Sequence, residues 1–514
     1  MNTAYLTGFK RILSLIALAL ATFLIVLDYT IANVSLPYIS GDLGVSADQG
    51  TYVITSFAVG NAIVLPISGW LTHRIGSVKL LSYSIFLFVF FSWFCGVSND
   101  FRLLIVGRFL QGFVAGPLVP LSQSLIVSTN PPEKRNGVLA FWSTIVIAAP
   151  VVGPLLGGWI SYDYSWPWIF YINIPFGLLS AILILYTLKP FQNPIEKKPV
   201  DFIGFFLLAA GVTCLQIILD KGEQFDWFSS PIIQTLSVIC FLSFSYLIVW
   251  EKDHPFALID LSLFKIKSYA ISVVFIGVMY AMYFGSVVLI PLWLQVDMGY
   301  TSTWAGIAVA PIGVAPLLFS GFSGMLVTRF GVLRLLCLCF LLFSLSSFYT
   351  AFFDSDVDLY HIWTSRFLTG CGLVFFITPL FALSIQDIKN DKLPSATGIF
   401  HFVRAMSGGI GTSIFDTLWI RRTSYYHERI GSALTINDPN TTQFLKQLSD
   451  LGIAREQQPP FLETMLGQQA SMLALNDCFY LMGWLFLTLI FLLPLGRKKR
   501  EERISSTSLP ISEL

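Results

Sequence analysis

The sequence predicts an all-α polytopic membrane protein, and three observations carry that reading. AVILMFWYC residues make up 55% of the 514 positions and charged residues only 12%, about half the ~25% usual in a soluble globular protein. The apolar residues fall in continuous runs of roughly 20, the length a helix needs to cross the hydrocarbon core, and not in the ~10-residue alternating segments of a β-barrel. Basic residues gather between alternate runs, which fixes an orientation.

Fourteen runs follow in order, at 12–36, 51–71, 79–98, 103–127, 138–161, 167–188, 202–220, 231–250, 270–293, 305–327, 332–352, 361–385, 396–420 and 478–495. The first is too long for a cleavable signal peptide, contains Asp28, and has no A-x-A site after it. With the N-terminus cytoplasmic, the inner segments hold 21 Lys and Arg residues and the outer segments 7. Five of those seven lie in the long segment 421–477, where charge weighs little on topology. Both termini are therefore expected on the cytoplasmic side. Lys+Arg is 31 against Asp+Glu 30, so no net charge points to nucleic acid or an acidic partner. The seven cysteines lie in or beside apolar runs with no CxxC, and read as small buried residues rather than a disulfide framework or zinc site.

The chain repeats itself. Gly69-Trp-Leu71-Thr-His73-Arg74-Ile-Gly76-Ser-Val-Lys79 matches Gly324-Met-Leu326-Val-Thr-Arg329-Phe-Gly331-Val-Leu-Arg334 at a shift of 255, and Arg108-Phe-Leu-Gln111-Gly112 matches Arg366-Phe-Leu-Thr369-Gly370 at a shift of 258. Two matches at nearly one offset predict two homologous six-helix halves, with the second run paired to the tenth and the fourth to the twelfth. The seventh and eighth runs are then insertions, expected at the bundle periphery and away from any cavity. Residues 1–198 form the N-terminal half, 199–252 the two added helices, 253–497 the C-terminal half with its outer loop 421–477, and 498–514 a cytoplasmic tail. Repeats of this kind mark alternating-access transporters.

Three kinds of residue carry chemistry. In the loops, Gly69, Gly76, Gly324 and Gly331 permit tight turns and close helix ends, while Arg74 and Arg329 supply cations for carboxylates or helix C-termini; plain positive-inside anchoring is the simpler alternative. On the fifth run, Gly153 and Gly157 stand one turn apart beside Gly158, a flat stripe for close packing that Pro150 and Pro154 loosen. Ionisable groups inside spans are functional candidates by default. Asp28 is the deepest acid, and Arg108 and Arg404 are cations inside the fourth and thirteenth runs, with a structural hydrogen bond as the plainer reading of Asp28 and simple packing as that of Arg404. His401 reads as a hydrogen-bonded core residue before a proton relay. Asn33, Asn61, Gln123, Gln216 and Gln295 are candidate cavity residues or helix glue. No P-loop, HExxH or GxSxG is present, so an ion gradient, not ATP, must drive any transport.

Together the G-x-L-x-x-R-x-G loops, Arg108-x-x-Gln111-Gly112 and Gly153-Pro154-x-x-Gly157-Gly158 resemble the hallmark motifs of the major facilitator superfamily, the third its antiporter motif. Leu27-Asp28-x-Thr30-Ile31-x-Asn33-Val34-x-Leu36-Pro37 and Trp168-Ile-Phe170-Tyr-Ile-Asn173-Ile-Pro175-Phe-Gly177 are similar to signatures of its fourteen-span drug:proton antiporters, the EmrB/QacA type. The family's first loop often carries an acid where His73 stands, so a salt bridge there does not transfer. The resemblance implies a major facilitator fold of fourteen transmembrane helices, proton coupling at Asp28 and Arg108, no cofactor, and hydrophobic or amphipathic drug-like substrates. It also implies an inner-membrane location and an EmrA-like periplasmic adaptor with an outer-membrane channel. The outer loop gives the adaptor a candidate dock, since Phe444, Leu445, Leu448 and Leu451 are spaced as one face of a short amphipathic helix; that helix lying on the protein's own surface is the alternative. An antiporter or uptake system for one metabolite, and a non-transporting scaffold or sensor, stay open beside the exporter reading.

Overall fold

A computed structural model describes residues 5–195, 199, 201–254, 257–389, 391–434, 439–450 and 454–496; within them the side chains of Asn33, Pro150 and Pro154 fall outside the description, as does the position of Leu451. All fourteen apolar runs are helical. The first half holds α1 (Gly8–Asp42), the single turn α2 (Ala47–Gly50), α3 (Tyr52–Val64), α4 (Ser68–Ile75), α5 (Ser77–Gly96), α6 (Phe101–Ala115), α7 (Leu118–Thr129), α8 (Pro132–Asp163), α9 (Trp168–Tyr171) and α10 (Asn173–Leu188). Next come α11 (Phe202–Lys221) and α12 (Pro231–Asp253). The second half holds α13 (Lys267–Val296), α14 (Ser302–Val309), α15 (Pro311–Phe330), α16 (Val332–Thr350), α17 (Leu359–Val374), α18 (Ile377–Ile385), α19 (Leu393–Ala433), α20 (Pro439–Asp450) and α21 (Gln458–Leu492).

Ten of the described helices are long and apolar enough to cross a membrane, or twelve if each of two bent pairs is one span. The pair α3 and α4 bends by 62° around Pro66, which has no N–H to continue the ladder. The fifth and thirteenth runs lie in α8 and α19, helices of 32 and 41 residues. Both carry Gly, Ser and Thr along the run, small residues that favour close helix contact. Large apolar side chains face outward along the bundle, as on α12 with Val238, Phe241, Leu242, Ile248 and Val249. A surface of that kind suits lipid, not water.

Packing reproduces the sequence repeat. In the first half α1 packs on α8 and α10, α3 on α6, and α5 on α6 and α10. In the second half α13 packs on α19 and α21, α15 on α17, and α16 on α17 and α21. The fine geometry repeats too. A side chain at Gly112 would strike the backbone of Phe57, with Cα at 2.9 Å, and one at Gly370 would strike Ile312, with Cα at 3.3 Å. Phe57 and Ile312 are themselves 255 apart.

The halves meet along α8 and α15, and α19 packs on α3, α4 and α7. Polar ties between halves cluster toward the end that carries the Gly-x-Leu-x-x-Arg loops. There a side chain at Gly398 would lie 2.5 Å from the Leu65 carbonyl, and one at Gly69 would lie 2.7 Å from Cβ of Ser395. Ser143 and Thr378 share a hydroxyl contact of 3.3 Å, and His401 meets Gln123 at 2.6 Å. The added helices split in placement. The α12 helix is largely exposed, whereas α11 packs on both α3 and α19, so it sits against both halves.

Most of segment 421–477 is helical. The α19 helix continues past the thirteenth run to Ala433, and α21 begins at Gln458, twenty residues before the last run. The extensions are clasped by the Arg422–Asp477 pair, by Tyr426 donating to Asp477 at 2.9 Å, and by His427 meeting Glu463 at 2.9 Å. Between them α20 buries Leu448, with Phe444 and Leu445 half-buried. Thus the amphipathic face is turned at least partly onto the chain itself.

Close packing at Gly398 predicts a conformational effect. Gly398→Val forces side-chain atoms against the Leu65 carbonyl, at a cost of about 1–3 kcal/mol for overpacking, borne only while this end is closed. In a background free of other cysteines, Ser395→Cys should therefore react about tenfold faster with a maleimide when Gly398→Val is added. Equal labelling rates would show that the contact is not tight.

Candidate functional site

The α1 helix carries Asp28 and the α6 helix carries Arg108, and the fold brings them into direct contact. Arg108 Nη1 donates to Asp28 Oδ2 at 2.6 Å, with both side chains fully buried. Asp100 caps α6 by accepting from the N–H groups of Arg102 and Leu103, which fixes the helix start. Gln111 follows Arg108 by three residues and so shares its face. Gln111 Nε2 donates to Asp28 Oδ1 at 3.1 Å, while its Oε1 accepts from Arg108 Nη1 at 2.8 Å.

A third helix completes the shell. Asn173, the first residue of α10, donates from Nδ2 to Asp28 Oδ1 at 2.7 Å and to Ser92 Oγ at 3.0 Å. Ser92 on α5 donates in turn to the Phe170 carbonyl at 2.8 Å. Arg108 Nε donates to the Val53 carbonyl at 3.1 Å, and its guanidinium lies 4.4 Å from the Phe57 ring centre and 5.4 Å from that of Phe170. Both carboxylate oxygens thus accept from cationic or amide donors. Arg108 Nη2 and Asn173 Oδ1 are buried without a hydrogen-bond partner.

The small-residue stripe lies one turn from this pair. A side chain at Gly153 would fall 2.8 Å from Cβ of Thr30, and one at Gly157 would fall 2.8 Å from the Ile31 carbonyl. Thr30 Oγ1 also reaches the Ala149 carbonyl at 3.4 Å, and Gly158 is half-buried. The α8 backbone therefore rests on the stretch of α1 that follows Asp28. No room for a side chain is left between the two helices there.

Among the other candidates, Gln123 joins His401 across the halves and both are buried. Arg404, on the same face of α19 as His401, lies 5.2 Å from the Tyr280 ring centre, while Asn61 and Gln216 are half-buried on α3 and α11. Gln295 donates to its own helix at the Pro291 carbonyl. At the loops, Gly76 has φ of 93° and Gly331 has φ of 81°, so both positions need the freedom of glycine and the two turns are built alike. Gln192 seals the first turn, accepting from the N–H groups of Val78 and Lys79 at 3.1 Å each. Arg74 lies over Trp70 at 5.4 Å and Arg329 over Phe330 at 5.6 Å, while Gly69 and Gly324 are buried.

Sequence reasoning did not single out Gln111, Asn173 or Ser92. Gln111 and Asn173 stand within the motif runs, where a lone amide in apolar surroundings is a usable signal. Ser92 gives none, being one of many serines on apolar helices.

Breaking a buried pair from one side costs about 3–5 kcal/mol, because it strands the other charge. Asp28→Asn should therefore lower the thermal unfolding temperature of the purified protein clearly. Adding Arg108→Gln should recover more than half of the loss. Additive losses in the double variant would show that the two groups are not energetically coupled.

With this geometry in hand, comparison with known proteins places the chain. The Major Facilitator Superfamily profile matches residues 18–412. Multidrug export protein EmrB of Escherichia coli K12 is 40% identical over 486 residues, covering 94% of this chain and 95% of its own. Fatty acid resistance protein FarB of Neisseria gonorrhoeae is 39% identical over 475 residues, covering 92% of this chain and 94% of its own. Among solved structures, the human organic anion transporter MFSD10 (TETRAN) superposes with a TM-score of 0.60 at 13% identity, covering 95% of this chain and 100% of that one, a likeness of fold. The chain is a multi-pass membrane protein and belongs to the major facilitator superfamily.

Proposed function

We propose that this protein is a proton-coupled multidrug exporter, moving hydrophobic or amphipathic toxic compounds outward across an inner membrane in exchange for protons. The observation that carries the coupling is the buried Asp28–Arg108 pair at 2.6 Å; the near full-length likeness to a multidrug export protein supports the cargo class. In this reading all fourteen apolar runs span the bilayer, both termini are cytoplasmic, and the loop end is the cytoplasmic end. The ties at Gly398, Gly69 and His401 then close the cytoplasmic side, and the conformation faces outward.

Protonation of Asp28 removes the charge that Arg108 is paired with. The guanidinium does not lose its own proton, so it is left uncompensated in a low-dielectric site, which raises the energy of this conformation. Displacement of α1 relieves that cost, and Gly153 and Gly157 carry the displacement into α8. Return of the ionised pair resets the cycle. A proton and a conformation are thereby linked, which is what exchange requires.

Asp28→Asn keeps the shape of the side chain and removes its titration. In vesicles with an imposed pH gradient, this variant should insert normally yet fail to drive efflux of a lipophilic cationic dye, while Asp28→Glu should keep part of the activity. Wild-type efflux by Asp28→Asn would overturn the coupling role.

The helical extension with α20 is the proposed dock for an EmrA-like adaptor, which would lead on to an outer-membrane channel. Deleting residues 435–465 should leave dye transport in vesicles intact and abolish resistance in cells with two membranes. Full resistance after the deletion would rule the dock out, and loss of vesicle transport would assign the segment to the transporter's own stability.

A further inference from the structure

The second half contains a buried arginine with no acid paired to it among the described residues. Arg366 on α17 stands at the repeat position of Arg108 and is 2% exposed. Its Nη2 donates to Thr350 Oγ1 at 3.3 Å and to Ser365 Oγ at 3.0 Å, and its Nε is buried with no partner. The residues around it are hydroxyls. Ser346 Oγ donates to the Ser365 carbonyl at 2.7 Å and shares a 2.7 Å contact with Thr369 Oγ1, and Thr350 and Ser365 meet through their oxygens. The Phe479 ring centre lies 5.6 Å from the guanidinium.

Repeat arithmetic shows what is missing. A shift of 255 carries Asp28 to Tyr283, and a shift of 258 carries Gln111 to Thr369. Tyr283 thus stands at the repeat position of the carboxylate, and a phenol is neutral at physiological pH. So the scaffold, the arginine and its burial are kept, while the carboxylate is replaced by a neutral ring and the amide by a hydroxyl. Arginine stays charged under all accessible conditions, and a lone charge at this depth is among the costliest arrangements a membrane protein holds. Hydroxyl dipoles soften that cost without cancelling the charge. Thr350 donates to the Ser346 carbonyl at 2.9 Å and Thr369 to the Ser365 carbonyl at 3.1 Å; rotated off those carbonyls, the hydroxyls join the unpartnered Nε of Arg366 as anion ligands.

We propose that Arg366, with Ser346, Thr350, Ser365 and Thr369, binds a small monovalent inorganic anion of halide size, chloride under physiological conditions. The anion takes the electrostatic place that Asp28 holds in the first half. It differs from Asp28 in one respect that matters for a transport cycle. Chloride does not titrate, so the second half keeps its charge balance while the first half responds to protons.

The test uses the purified full-length protein in detergent, with sodium chloride compared against sodium gluconate at equal ionic strength. Chloride should raise the unfolding temperature by a few degrees in a saturable manner, bromide should substitute for it, and gluconate should not. Arg366→Met should lose the chloride dependence, and Asp28→Asn should keep it. Superimposable chloride and gluconate curves for the unaltered protein would overturn the proposal. So would a chloride shift that survives in Arg366→Met or vanishes in Asp28→Asn, since either places the anion elsewhere. Should Arg366→Met not fold, Thr369→Val and Ser365→Ala serve instead, each predicted to raise the half-saturating chloride concentration about tenfold, and an unchanged value in both would equally refute the site.

Discussion

A guanidinium buried inside a bilayer is costly unless an opposite charge faces it, and the first half of this protein is organised around such a pair. Arg108 and Asp28 are both fully buried and meet at 2.6 Å, so removing either strands the other. Four helices contribute to the cluster: α1 the acid, α6 the arginine and Gln111, α10 Asn173, and α5 Ser92. Each of those helices is held where it is partly by a hydrogen bond to this site. The glycine stripe of α8 then rests on the residues just after Asp28, so the charge balance and the helix packing are one mechanical unit.

The two halves share a scaffold and differ in chemistry. Helix pairings, the tight glycine turns at Gly76 and Gly331, and the close approaches at Gly112 and Gly370 recur in both. The charged cluster does not. Where the first half places a carboxylate against arginine, the second places aromatic rings and hydroxyls.

Much of this was legible in the sequence, for physical reasons that differ by feature. Fourteen apolar runs are readable because a bilayer demands length and hydropathy, and each run is helical. Asp28 and Arg108 stand out because charges are costly in such runs, and that cost brings them together. The glycine stripe was readable because small residues at i and i+4 leave a flat face. Long-range partners were not. Gln123 and His401 are 278 positions apart, and no local pattern says that they meet. The extension of α19 and α21 beyond the membrane runs was also hidden, since polar helices and polar loops look alike in hydropathy. The repeat led to both added helices being expected at the periphery, yet α11 packs on α3 and α19, a long-range contact that no local pattern encodes.

The central claim is that one carboxylate exchanges the proton that drives the cycle. Proton release from the purified protein in weakly buffered detergent solution, on addition of a lipophilic cationic dye, tests it most directly. The account predicts release from the unaltered protein at a pH where Asp28 is partly protonated in the dye-free state, and none from Asp28→Asn at the same dye occupancy. Equal proton release from the two proteins would contradict it.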